Sequence, residues 1–218
     1  MHTRPSDLEL LSQLARAALD LSAQRAWEQI SLFDLCNASE LSLDACAAAG
    51  IGKQAIADRL DHDLDLVMLK AAKGVEAGAS HHDRLFEIVM ARFDGLEDAR
   101  PSWMSILHGD GQEPATRLAR SARRLRTAAW ALEACGVSTD QLMSTARILG
   151  LARRLSQVEN VWMRDGGDLS KTMAALDQTL RDHADWVQRG TRLGERLSAL
   201  FKRPSHRQPH ADTKASEV

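Results

Sequence analysis

The sequence predicts an all-α protein, built as a small three-helix head followed by a larger helical body. Three observations predict it. Aromatic residues make up 4% of the 218 residues and Tyr is absent, whereas Leu, Ala, Arg and Asp dominate, a mixture that favours helices over strands. Apolar residues recur every three or four positions between Gly and Pro punctuation. The first 50 residues also read as a long helix and two short ones, in that order. The length allows one large domain, or a small head joined to a bigger unit.

In chain order, Leu8, Leu11, Leu14, Ala15, Ala18, Leu19 and Ser22 follow helical spacing and predict a first helix of about 20 residues that ends near Trp27. Ser31 is placed to cap a short second helix carrying Leu32, Phe33 and Leu35. Leu41 and Ser42 make a tight turn. Ser42 caps a third helix that stops at Gly50, where a left-handed C-terminal residue is common. A longer helix follows from Lys53 to about Gly74, with Ile56, Leu60, Leu64, Val67 and Met68. Asp83 to Leu96 carries Leu85, Ile88, Val89, Arg92, Phe93 and Leu96 on one side. Pro101 opens the helix of Trp103, Ile106 and Leu107, and Gly109, Gly111 and Pro114 mark a loop. Residues 115–134 hold Leu118, Leu125, Trp130 and Leu132 beside five arginines, and Gly136 ends that helix. Another runs from about Thr139 to Arg164. Asp165-Gly166-Gly167-Asp168 turns the chain into a helix with Asp168 as its cap. The resulting division is a head over 1–52, a body over 53–181, an amphipathic helix over 182–203 and a disordered polar tail over 204–218.

Composition excludes several classes. Cys36, Cys46 and Cys135 have no metal-ligand spacing and read as reduced thiols. An uninterrupted apolar run of the roughly 20 residues a membrane span needs is absent, and the N-terminus lacks an apolar secretory segment. A cytoplasmic protein, peripheral at most to the inner face of the cytoplasmic membrane, is expected. G-x-S-x-G, P-loop and G-x-G-x-x-G motifs are absent, as is a nucleophile with a base, so neither an enzyme nor a cofactor is expected. His81-His82-Asp83 reads as a solvated helix start, Asp61-His62-Asp63-Leu64-Asp65 as a solvated face, and Arg117, Arg120, Arg123, Arg124 and Arg126 as a charged exposed face. Residues 1–70 carry six basic and eleven acidic side chains, a net charge of −5. Phosphate contacts by Lys and Arg supply most non-specific affinity for nucleic acid, so this sign opposes strong DNA binding.

Residues 41–56, LSLDACAAAGIGKQAI, resemble the helix-turn-helix of the TetR family of dimeric regulators, with Leu41, Ser42, Lys53 and Ile56 in register. The reading residues depart from it. Asp44 replaces Gly, Cys46 and Ala47 replace Leu-Tyr, and Ala49-Gly50 replaces His-Phe. Those departures resemble the Coq-nine accessory family of coenzyme Q biosynthesis, a TetR-like fold whose reading helix has become an alanine-rich run similar to residues 41–48. Arg92 to Leu96, Trp103 to Leu107, Ser138-Thr139-Asp140 with Thr145 and Arg147, and Asp165, Asp168, Thr172 and Leu176 resemble further motifs of that family. One departure is Met143-Ser144, where the family carries an aromatic pair linked to its hydroxylase partner.

The resemblance implies a homodimer that binds a lipid or isoprenoid quinone intermediate and presents it to a quinone-modifying hydroxylase or related membrane-associated enzyme. Leu85, Ile88, Val89, Trp103, Ile106, Trp130, Leu149, Val158 and Trp162 are the candidates for an apolar pocket, and each also reads as ordinary core. Trp186, Leu193, Leu197, Leu200 and Phe201, edged by Lys202 and Arg203, form the stripe expected of a helix lying in a membrane surface, or of one packed on the body or in a dimer interface. The leading expectation is thus a non-catalytic accessory protein of ubiquinone biosynthesis. The alternative is a TetR-type DNA-binding regulator with an apolar effector pocket, in which Ser42 and Lys53 contact DNA and Arg4, Arg16 and Arg25 join Lys53 on phosphate.

Overall fold

The computed structural model of the chain describes residues 6–139 and 142–181. The expected membrane-binding residues Trp186, Leu193, Leu197, Leu200, Phe201, Lys202 and Arg203, the tail, and Arg4 lie outside the described residues. The described elements are α1 (Asp7–Ser22), a 3-10 turn (Trp27–Gln29), α2 (Leu32–Ala38), α3 (Leu43–Ala48), α4 (Lys53–Ala71), α5 (His81–Glu97), α6 (Arg100–Gly109), α7 (Pro114–Ala134) and α8 (Leu142–Trp162). Residues 170–181 are also helical, and no strand occurs among the described residues. Head and body pack as one compact unit.

The caps explain why the head breaks where it does. Ser6 with Glu9 and Ser31 with Asp34 form reciprocal capping boxes at the starts of α1 and α2, and the Ser42 hydroxyl accepts from the Ala45 amide. Both short helices end in the same motif. In α2 the amides of Glu40 and Leu41 return to the carbonyls of Asn37 and Cys36; in α3 those of Gly50 and Ile51 return to Ala47 and Cys46. The residue that turns the chain is left-handed in each case, Glu40 at φ 55° and Gly50 at φ 67°. A cysteine thus occupies the equivalent place at the end of each helix.

The first helix is shorter than its spacing predicts. It ends at Ser22 because the chain that follows is taken up by α6. The Ser102 hydroxyl donates to the Leu19 carbonyl at 2.6 Å, Ser105 donates to the Arg25 carbonyl at 3.2 Å, and the Trp27 amide donates to Ser105 Oγ at 2.9 Å. Two glycines let helices approach here. A Cβ at Gly95 would lie 3.0 Å from Leu64, and one at Gly109 would lie 2.9 Å from the buried Trp27 ring.

The body surrounds α4, which packs against α1, α5 and α7. Its apolar side, Ile56, Leu60, Leu64 and Met68, is buried with Ile88, Val89, Phe93, Trp103, Ile106, Leu151, Leu155 and Trp162. Burying side chains of this size contributes roughly 1.5–3 kcal/mol each before conformational entropy is counted. Pro114, expected in a loop, instead opens α7 as a first-turn residue, a place where its missing N–H costs nothing.

Candidate functional site

The helix-turn-helix is complete as a scaffold. Leu35, Cys36, Cys46 and Ile51 fix α2 and α3 to the core. The outer side of α3 is left clear, with Ser42, Leu43, Asp44, Ala47 and Ala48 exposed. Phe33 on α2 is also exposed, at 58%. This surface is small, apolar and acidic rather than basic.

Among the described residues, two cations at the head, Lys53 and Arg25, have intramolecular partners. Lys53 Nζ donates to the carbonyls of Trp27 and Ile30 at 2.6 and 2.7 Å. It also lies 4.2 Å from the centre of the Trp27 ring, a cation–π distance. Burial lowers the Lys53 pKa, opposed by the charges of Asp110, Glu28 and Asp34. Arg25 pairs with Asp34 at 3.3 Å. Arg16 remains exposed on α1. Lys53 therefore clamps the start of α4 to the turn before α2, while Ser42 caps α3.

The centre of the body holds an ionic network. Two of its acids, Asp61 and Asp65, come from the α4 segment expected to be a solvated face; both are buried. Arg123 and Arg124, expected on an exposed face, are buried as well. Arg123 Nε lies 2.7 Å from Asp61 and Arg124 Nη1 lies 2.8 Å from it, while Arg123 Nη1 reaches Asp58 at 3.1 Å. Arg92 of α5 also pairs with Asp61, Arg123 with Asp110, and Arg120 and Arg124 both with Glu159 of α8. Thr127 donates to Asp65 at 2.8 Å. The network thus ties α4 to α5, α7 and α8.

The environment divides these acids into two kinds. Burial opposes ionisation of Asp61, but Arg124, Arg92 and Arg123 outweigh it and hold its pKa far below the usual value. Burial dominates at Asp65 and Asp110, whose pKa values are raised despite their arginine partners. Breaking such a network leaves an unpaired buried charge, which costs far more than the intact pairing contributes.

The nine residues expected to line an apolar pocket do not share one environment. Leu85, Ile88, Val89, Trp103, Ile106, Val158 and Trp162 are buried core, whereas Trp130 and Leu149 lie outward at 43% and 53% exposure. Trp162 is further fixed by its indole N–H, which donates to Glu97 at 3.0 Å, and by the Arg100 guanidinium 4.7 Å from its ring. A cleft of about 220 Å³ sits beside Trp27, Lys53, Gly109 and Asp110 and contains none of the nine.

Other expectations resolve simply. Asp165, rather than Asp168 alone, organises the start of the 170–181 helix by accepting from the amide and hydroxyl of Thr172, both at 2.8 Å. Asp168 accepts from Ser170. Burial raises the Asp165 pKa, but these bonds prevail and lower it. Ser144, in the place of the family's aromatic pair, is buried and donates to the Ser138 carbonyl at 2.8 Å. His82 lies 3.2 Å from Asp177.

A TetR transcriptional regulator from Nitrosomonas europaea superposes with a TM-score of 0.62 at 22% identity, over 80% of this chain and 98% of that one. This is a TetR-like fold. A TetR-family regulator from Streptomyces coelicolor agrees, with a TM-score of 0.56 at 17% identity over 92% of this chain and 88% of its own. No protein-family model and no curated protein matches the sequence. The TetR-like helix-turn-helix expected from Leu41, Ser42, Lys53 and Ile56 is therefore found in the fold, whereas nothing in the comparisons points to the Coq-nine family.

The body network was missed by the sequence reading, although a signal for it existed. Asp61 and Asp65 have the same four-residue spacing as Leu60, Leu64 and Met68, and Arg120, Arg123, Arg124 and Thr127 repeat at three and four. Arg92 already stood on the apolar side of α5. Charges that keep the period of an apolar stripe on several helices are candidates for one another's partners.

Proposed function

We propose that this chain is a TetR-type transcriptional regulator whose head makes an unusually apolar contact with DNA. The observation that carries the reading is the outer side of α3, where Leu43, Asp44, Ala47 and Ala48 stand exposed on a helix held by its caps and by Cys46 in the core. Ala47 and Ala48 are small enough for close approach and suited to the methyl groups of thymine in a major groove. Ser42 adds a hydroxyl for a phosphate or base edge. Few exposed cations accompany them, so affinity rests on shape and apolar contact more than on counterion release.

A homodimer follows from the same reading, since a regulator of this type reads two half-sites. Leu118, Trp130, Leu149 and Met173 supply exposed apolar surface on the body for subunit contact. The ionic network gives the body a rigid grip on α4, the helix that leads directly from the head. The test is binding of the purified chain to the DNA upstream of its own gene, by fluorescence anisotropy at low salt. A sequence-specific complex is expected, and its absence at about 50 mM salt would remove the reading.

A second reading, the lipid-binding accessory protein of ubiquinone biosynthesis, is favoured by a specific observation. Asp44 stands exposed at the start of α3, where it opposes phosphate and suits a head released from DNA. That reading expects an isoprenoid quinone intermediate to co-purify, and a hydroxylase or a membrane surface to be the recipient. Mass spectrometry of lipid extracted from the purified protein separates the two.

A further inference from the structure

Cys36 and Cys46 face each other across the helix-turn-helix, with their sulfurs 3.2 Å apart. Both are free thiols and both are buried, at 1% and 0% exposure. Single buried cysteines ordinarily act as small apolar side chains. This pair differs because each thiol has the other as its hydrogen-bond partner. Their positions are also equivalent, since each carbonyl accepts the returning amide that ends its helix, from Leu41 in one case and Ile51 in the other. The two sulfurs are about 1.2 Å from the length of a disulfide bond.

We propose that Cys36 and Cys46 form a reversible disulfide that joins α2 to α3 when the chain meets a peroxide. One thiol, as thiolate, attacks the peroxide O–O bond and becomes a sulfenic acid, releasing one water from hydrogen peroxide. The second, as thiolate, attacks that sulfur and forms the S–S bond; the sulfenic oxygen leaves as a second water. The pair loses two electrons and two protons, and the peroxide takes up both. Thiol–disulfide exchange with a small dithiol reverses the step.

Burial raises the Cys36 thiol to about 11, with the neighbouring Cys46 adding to the effect. The thiolate population is correspondingly small while the head is closed. Oxidation therefore proceeds through brief opening of α3, a helix of six residues that isolated would be far too short to persist. Cys135, on the body side at the end of α7, serves as an internal comparison. Burial raises its thiol to about 11 as well, but the structure gives it no second thiol.

The bridge would fix the angle between the two helices that form the reading unit, so the redox state sets how freely the head adapts to a partner. The inference stands apart from DNA binding, because the bond forms or fails to form regardless of what the head contacts. The experiment exposes the reduced full chain to hydrogen peroxide, then counts thiols after denaturation and maps linked peptides. The expected result is a fall from three thiols to one, a peptide pair joined through Cys36 and Cys46, and recovery of three thiols with dithiothreitol. The Cys135→Ser variant, which leaves the pair intact, should fall from two thiols to none, whereas Cys46→Ala should form no intramolecular link. Retention of all three thiols, initial loss at Cys135, or bonds between chains in place of the Cys36–Cys46 link would overturn the proposal.

Discussion

Arg124 shows how much of the body rests on single side chains. Its guanidinium is buried between Asp61 of α4 and Glu159 of α8, and their charges raise its pKa against the effect of burial. Arg124→Ala removes the shared partner and leaves two carboxylates without it. The expected loss is about 3–5 kcal/mol, measured as a shift in the urea midpoint. Lys53 carries a parallel lesson. Its place in the sequence suggests a phosphate contact, but the carbonyls of Trp27 and Ile30 take up the ammonium. A register match identified the residue, while only the local backbone could show whether its charge faced outward.

At the scale of elements, the junction of α6 with the head is a close fit. Ser102 and Ser105 bind the end of α1 and the chain after it, and Gly109 leaves room for Trp27. Gly109→Ala introduces a methyl where the ring and the Glu28 carboxylate already crowd the site. Helix propensity would favour Ala, yet the overpacking is worth about 1–3 kcal/mol in the opposite direction. Thermal unfolding should therefore show a lower midpoint for the variant; an unchanged or higher midpoint would show that Trp27 moves aside freely.

Most helices of the described chain were legible because apolar spacing and caps agree, as at Ser31, Ser42 and Gly50. The end of α1 was not, because hydroxyls some 80 residues away decide it. The arrangement of α2 and α3 could be read from Leu41, Ser42, Lys53 and Ile56, a pattern fixed by local turn chemistry. The burial of Asp61 and Arg124 could not, because charged residues on one helix reveal burial only once their partners on other helices are known. The nine pocket candidates illustrate the converse problem. Apolar side chains such as Ile88 and Trp103 satisfy both a pocket and a filled core, and packing alone separates those uses.

The whole molecule combines opposing responses to acid. Asp65 and Asp110 have raised pKa values in the folded chain, so protonation on lowering the pH from 7 toward the usual Asp value of 3.8 increases stability through them. Asp61 has a depressed value; its contribution is present above 3.8 and is lost as pH falls through its folded-state pKa. The prediction is that urea midpoints at pH 5 equal or exceed those at pH 7, then fall steeply below about 3.8. A steady decline from pH 7 to pH 5 would show that the raised acids contribute less than other groups.

The proposed DNA-binding role belongs to the molecule as a whole, because a TetR-like frame carries a head whose net charge is acidic. The most direct measurement is the affinity for the DNA upstream of the chain's own gene as a function of salt concentration. A sequence-specific complex is expected whose log–log salt slope is shallow, about −2 to −4 for the two heads of the proposed dimer together, corresponding to few neutralised phosphates. Failure to distinguish that DNA from a scrambled sequence, at every salt concentration, would contradict it.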